Sequence, residues 1–328
     1  MDWIRQRTDS IDGLQEIRCA DQHTGGNALE VMEEAGALFT VSYPWAQFKS
    51  AYGDDITPLV GTGVNAGMAL NKYVVRDDTD EVLGIHSGTF TESGSYHFLG
   101  KMAERMFPNA TTSCTVFDNG ERVALTQDIG GAIDLGDGDT IKPQLVWTSS
   151  FNGQWATKVH DLVHRLWCMN QLISGTALFS VKHTKFHDIT FKQRAGIIEA
   201  AVSRAQIVAT QATIMKDQSF TDQMFTELTR ELVPFPPKVE GKEWHAKAVN
   251  LVERKRGAMT AKWMEECEHW SPDGPGNKWL AYNAVQGAEQ HQINAQFTSS
   301  EVATQRSLTK AINGKAPLAD KALALLLA

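Results

Sequence analysis

At 328 residues, with 42% hydrophobic and 21% charged residues, the chain has the composition of a folded protein of one large domain or two modest ones, without the low-hydrophobicity signature of disorder. A formal net charge of -8 argues against a protein that coats nucleic acid through bulk electrostatics. Cys19, Cys114, Cys168 and Cys267 form no C-x-x-C pair, which excludes a zinc ribbon and a redox dithiol, and no stretch approaches the ~18 apolar residues of a membrane span.

The opening MDWIRQRTDS has no apolar h-region, so the expectation is a cytoplasmic protein that does not use a membrane. NALEVMEEAG, residues 27–36, predicts a short helix that ends on a glycine, and FTVSYPWAQF an edge strand limited by Pro44. Gly61, Gly63 and Gly67 have neither the Walker Lys-Ser/Thr pair nor G-x-G-x-x-G spacing, so a loop is expected rather than a phosphate cradle. Tyr73–Arg76 and Val82–His86 flank Asp77-Asp78-Thr79-Asp80 and predict a hairpin. That acidic turn lacks the glycine and distal glutamate of a calcium loop.

Phe98, Leu99, Met102 and Met106 mark a helix over Tyr96–Met106. Cys114–Phe117 and Arg122–Gln127, joined by Asp118-Asn119-Gly120, predict a second hairpin, and Gln144–Ser149 a further strand. VWTSSFNGQWATKVHDLVHRLWCMNQL, residues 146–172, opens as that strand, turns at Asn152-Gly153 and continues with apolar residues at helical spacing. Residues 190–232 read as a long amphipathic helix interrupted near Asp217-Gln218-Ser219. The proline-rich VPFPPKVEGKEW is the hinge candidate; a basic helix follows, SPDGPG breaks it, and a last helical region starts near Trp279. The closing LADKALALLLA suits either a neighbouring subunit or the body of its own chain. The fold class expected is α+β: an antiparallel, hairpin-rich sheet with covering helices, then a largely helical C-terminal half. Its organisation reads as an N-terminal arm over 1–24, a core domain over 25–232 and a helical region over 233–328.

Charge divides along the chain. Residues 1–157 carry 10 Lys+Arg against 22 Asp+Glu, residues 158–262 carry 16 against 10, and residues 263–328 carry 5 against 7. The helical middle is the one basic part of an acidic protein.

No reaction follows from the sequence. His160 and His164 have the spacing of a helical metal pair, but Asp161 stands where zinc proteases carry a glutamate base, and no third ligand is evident. His183 and His187 repeat the spacing in an extended setting. Cys168 lies among Leu166, Trp167 and Met169, as a buried inert thiol does. No hydrolase or kinase signature accompanies these residues, and neither a catalytic residue, a cofactor nor a metal site is expected. Nucleic-acid binding has better grounds, because cations interleaved with aromatic residues meet the needs of single strands. The alternative is that these cations are solvated faces of ordinary helices.

YVVRDDTDEVLG, FNGQWATKV, the R-x-x-C-x-N of Arg165, Cys168 and Asn170, VKHT, and the W-x-A-Y-N-A from Trp279 to Ala284 together resemble the phage/plasmid-like proteins of a widespread domain family of unknown function, found in actinobacterial phages and plasmids. The likeness runs over about residues 25 to 310. His160 and Met169 depart from it, standing where the family usually has Arg and a polar residue, often Gln. It implies a mobile-element protein in a host cytoplasm. At topology level the hairpin-rich sheet followed by a helix is also similar to the single-strand annealing proteins of phage recombination, which form rings with DNA in a basic groove. The expectation is a homo-oligomer that binds single-stranded DNA and promotes annealing, with Lys182, Lys185, Lys192, Arg194, Arg254, Lys255 and Arg256 on phosphates. Phe151 or Trp155 would stack on bases, and Arg165 would contact phosphate or brace the sheet-to-helix junction. The competing expectation is a protein-interaction module, or nucleic-acid mimic, whose acidic sheet takes a basic partner. A metal-dependent hydrolase using His160 and His164 stands third.

Overall fold

A computed structural model describes residues 18–44, 48–49, 55–56, 71–87, 95–165, 171–181, 194–237, 246–292 and 317–328. The glycine loop at 61–67, Cys168, Lys182, Lys185, Lys192, His183 and His187 lie outside these residues.

The fold is α+β with antiparallel pairing, as the hairpin signals predict. A seven-stranded sheet is built from β1 (Arg18–Gly26), β7 (Thr111–Phe117), β8 (Arg122–Asp128), β10 (Thr140–Ser150), β11 (Thr157–Arg165) and β12 (Gln171–Val181), in the order β1-β7-β8-β10-β11-β12, with β9 (Ile133–Asp134) also paired to β10. A three-stranded sheet runs β2 (Val41–Ser42), β5 (Asn71–Arg76), β6 (Glu81–Ser87), and β3 (Phe48–Lys49) pairs with β4 (Asp55–Ile56). Two compact units share the chain without being consecutive blocks. The first holds residues up to Asp128, Val146–Val159 and Phe179–Arg194; the second holds Ile129–Leu145, His160–Leu178 and Ala195–Ala328. β10 and β11 each contribute residues to both.

In the first unit, α1 (Ala28–Glu34) begins at Asn27, whose side chain accepts from the Leu29 amide. The Glu104 carboxylate accepts from the next orphan donor, Ala28, at 2.8 Å, and from Asn109 at 3.0 Å. Glu104 lies on α2 (Tyr96–Met106), which starts at the Ser95 cap and buries Tyr96, Leu99, Met102, Ala103 and Met106; of the stripe read from sequence, Leu99, Met102 and Met106 are buried and Phe98 is half-buried. The turn between β7 and β8 is made by Asn119 at φ 54 and Gly120 at φ 105. A side chain on Gly120 would run into the Phe39 ring, and the Gly120 carbonyl accepts the Tyr96 hydroxyl at 2.7 Å.

The second unit is mainly helical: α3 (Arg194–Lys216), α4 (Asp222–Leu232), α5 (Ala246–Trp270), α6 (Lys278–Gly287) and α7 (Pro317–Leu327), with β13 (Ser219–Phe220) paired to β14 (Gly276–Asn277). The interruption expected near Asp217-Gln218-Ser219 falls there: α3 ends at Lys216, β13 follows, and α4 starts at Asp222. Ala205, Val208, Ala212 and Met215 of α3 join Phe225, Trp263, Trp279, Leu280 and Val285 in one buried cluster. Trp263 lies parallel to Phe225 with ring centroids 4.8 Å apart, and its indole N–H donates to Asp222 at 2.8 Å. α7 packs on α6 and α4 of its own chain, so within this fold the C-terminal Ala/Leu segment caps its own unit.

Residues 157–165 are a strand, not the helix their apolar spacing predicts. Val159, His160, Asp161, Leu162 and Val163 are all buried in β11. Side chains four apart on a strand stand about 13 Å apart along the chain, so His160 and His164 do not form the helical pair that two ligands of one metal require. Among the described residues no group of three or more His, Cys, Asp or Glu is placed to hold a metal ion.

Candidate nucleic-acid interface and the Arg165 cluster

The strongest electrostatic feature of the second unit is internal. Arg165, at the end of β11, has no exposed surface. Its Nε and Nη2 donate to the two oxygens of Asp139 at 2.7 and 3.0 Å, and its Nη1 donates to Glu266 at 2.8 Å. Asp139 closes the loop after β9, where Gly136, Asp137 and Gly138 all have positive φ, and Glu266 lies in the last turns of α5. Trp279, the second residue of α6, donates its indole N–H to Asp139 at 2.9 Å. The guanidinium lies 5.2 Å from the Trp270 ring centroid and 5.7 Å from that of Trp279. A bidentate carboxylate, a second carboxylate and two indole rings thus surround one guanidinium, the geometry for which arginine is suited and lysine is not.

The loop that presents Asp139 is held from the other side by α3. The Lys216 ammonium donates to the carbonyls of Leu135 and Gly136, both at 3.0 Å, and lies 3.4 Å from Asp137. Burial pushes the Glu266 carboxyl above the ordinary carboxylate range; Arg165 draws it back down and Asp139 adds to the upward shift. Cys267, the next residue, has its thiol pushed up to about 11 by burial and by the neighbouring Asp222 and Glu266, the reverse of what activates a cysteine nucleophile.

Of the two expectations for Arg165, this arrangement fits the brace. The side chain is closed to solvent and ties β11 to the 134–139 loop and to α5 through the Asp139 and Glu266 carboxylates. Phe151 and Trp155 are likewise unsuited, as placed, to stack on bases. Phe151 is buried against Tyr96, ring centroids 4.3 Å apart, and Phe39 at 6.0 Å. Trp155 is buried with the Arg122 guanidinium 4.9 Å over its ring and Phe117 edge-on at 5.5 Å. A base would have to displace core residues to reach either one.

The remaining described candidates fall on α3 and α5. Arg194 is the first residue of α3. Arg254 and Lys255 lie half-buried on α5 beside exposed Leu251 and Lys247. Arg256 is committed to the chain preceding α5: its Nε and Nη2 donate to the Val233 carbonyl at 3.0 and 2.8 Å, and its guanidinium lies 4.6 Å over the Phe235 ring. Between Ala246 and Lys262 the helix carries Lys247, Arg254, Lys255, Arg256 and Lys262 against the single acid Glu253. Asp139 and Glu266 carry no local signal: they stand 26 and 101 residues from Arg165 in the chain. Trp279 is visible as part of W-x-A-Y-N-A, but not as a partner of Asp139.

The class this defines is an antiparallel α+β protein whose helical unit is centred on a buried arginine with two carboxylates. Residues 92–312 match the model of the family described as domain of unknown function DUF932, and the chain belongs to that family. The match begins just before α2 and leaves out the β5–β6 hairpin and α7. No curated protein and no solved structure matches the chain. Among the described residues no helix is long and apolar enough to cross a membrane.

Proposed function

We propose that this protein binds single-stranded nucleic acid through the first three turns of α5, with Lys247, Arg254 and Lys255 on phosphates, and that it serves annealing or replication of a phage or plasmid in the host cytoplasm. The observation that supports the reading is the accumulation of cations on α5 in a protein whose net charge is negative. Such a segment attracts a polyanion locally while the acidic remainder limits indiscriminate coating. Lys182, Lys185, Lys192 and Arg194 extend the candidate contacts. Arg165, Phe151 and Trp155 leave the contact set and become structural, and Arg256 orients the chain ahead of the helix.

The test is fluorescence anisotropy of a labelled oligonucleotide against the full chain and a variant carrying Lys247→Gln, Arg254→Gln and Lys255→Gln. Binding that weakens about equally for all oligonucleotide sequences is expected from loss of phosphate contacts. Unchanged affinity in the variant, or no binding by the parent chain at low salt, overturns the reading.

A further inference from the structure

The β5–β6 hairpin carries an apolar face at the surface. In its register Val75 lies opposite Val82 and Tyr73 opposite Ile85, with an irregularity between Val74 and Val75. Because Tyr73 and Val75 are two apart, Val82 and Ile85 share one face despite being three apart in sequence. Val74 and Leu83 are buried, whereas Val82 is 50% and Ile85 57% exposed. A sheet with one face on the core normally turns polar residues outward; here the outward face is aliphatic. β6 is also the edge of its sheet, paired with β5 alone among the described residues. At its end the exposed turn bears Asp77, Asp78, Asp80 and Glu81, and Arg76 is the single cation among them, paired with Asp78 at 2.6 Å.

α5 carries the complement. Leu251 is 42% exposed. Lys247 lies one turn before it, and Arg254 and Lys255 one turn after, so helical spacing rings an exposed aliphatic side chain with three cations. With one guanidinium against four carboxylates the hairpin turn is acidic, and with Lys247, Arg254 and Lys255 around Leu251 the helix face is basic.

We infer that the β5–β6 hairpin of one copy of this chain docks on the Lys247–Lys255 face of α5 in a second copy. Val82 and Ile85 pack against Leu251, while Asp77, Asp80 and Glu81 meet Lys247, Arg254 and Lys255. Each copy offers both surfaces, so the contact is either reciprocated about a two-fold axis or repeated head to tail into a ring. Charge complementarity sets its orientation and makes it salt-dependent. The inference goes beyond the nucleic-acid reading and does not rest on it. Where both hold, the acidic hairpin and an oligonucleotide compete for the same helix face, and assembly regulates access to it.

Sedimentation velocity on the full chain without nucleic acid tests it. Low salt is expected to give a concentration-dependent assembly that dissociates at high salt. Reversal of the hairpin (Asp77→Lys with Asp80→Lys) or of the helix (Lys247→Glu with Lys255→Glu) is expected to weaken self-association about tenfold or more. An equimolar mixture of the two variants is expected to reassemble, since each supplies the charge the other now needs; that recovery also reports that both fold. Ile85→Ser is expected to weaken assembly while leaving its salt dependence in place. A parent chain that stays monomeric at every concentration in low salt overturns the inference. So does assembly indifferent to hairpin reversal, or a mixture that remains monomeric, which includes docking within one chain. Oligonucleotide anisotropy run alongside separates the two readings: a monomer that binds DNA defeats only the docking, and an assembly that ignores DNA defeats only the nucleic-acid reading.

Discussion

Arg165 brings a permanent positive charge into a site closed to water, and Asp139 and Glu266 bring two negative charges to meet it. Removing a buried ion costs more than the pair contributes, because the partners stay behind without compensation. Arg165→Met, close in volume and apolar, is therefore expected to lower unfolding free energy by about 3–5 kcal/mol in urea titrations. A loss below ~1 kcal/mol would show that water reaches Asp139 and Glu266.

Glu266 behaves differently, since its carboxyl is held above the ordinary carboxylate range mainly by burial. The folded form therefore binds a proton that the unfolded chain has released. The associated stability is complete below the unfolded value and is lost as pH rises through the raised folded value. Glu266→Gln keeps an acceptor for Arg165 without the excess negative charge. Its melting temperature relative to the parent is expected to improve as pH rises through that window; a difference independent of pH would mean that Glu266 stays ionised. Nothing near Asp139 or Glu266 in sequence announces them, because a guanidinium can be met from any segment the fold brings within 3 Å.

At the scale of elements, the local signals carried far. The hairpins around Asp77–Asp80 and Asp118–Gly120, the helix over Tyr96–Met106 and the break after Lys216 are legible because turn chemistry and a buried helix stripe act within a few residues. β11 was not. Val159, Leu162, Val163 and Leu166 follow an i, i+3, i+4, i+7 pattern, yet the strand lies between β10 and β12 and its residues from Val159 to Val163 are buried irrespective of parity. A strand covered on both faces loses the two-residue alternation by which strands are recognised, and period alone cannot separate it from a helix. The C-terminal helix was legible as a helix but not in its destination. Three side chains settle that: Glu289 accepts from the Leu318 and Ala319 amides at 3.3 and 2.9 Å, Lys278 donates to the Leu326 carbonyl at 2.7 Å, and Lys321 donates to the Glu231 carbonyl at 2.6 Å. Glu289→Ala strips acceptors from the first turn of α7 and is expected to cost about 0.5–2 kcal/mol, seen as faster amide exchange confined to 317–328. Exchange that rises equally across the second unit would mean that α7 and that unit open together.

For the whole molecule, charge is unevenly spread, with cations gathered on α5 in a chain of net charge -8. If α5 makes the three phosphate contacts proposed for it, the logarithm of single-strand affinity falls against the logarithm of salt concentration with a slope of about -2, and removal of one cation reduces that slope by about 0.7. A slope near zero at unchanged affinity would assign binding to something other than α5 cations. Neighbours along the chain suffice to specify the α+β class, most of the hairpins and helices, and the gathering of cations between residues 158 and 262. Long-range packing was needed to show that Arg165, Phe151 and Trp155 are internal, that β11 is a strand and that α7 returns to its own chain. Those outcomes depend on which distant segments exclude water from one another, and such long-range burial leaves no periodic trace in sequence.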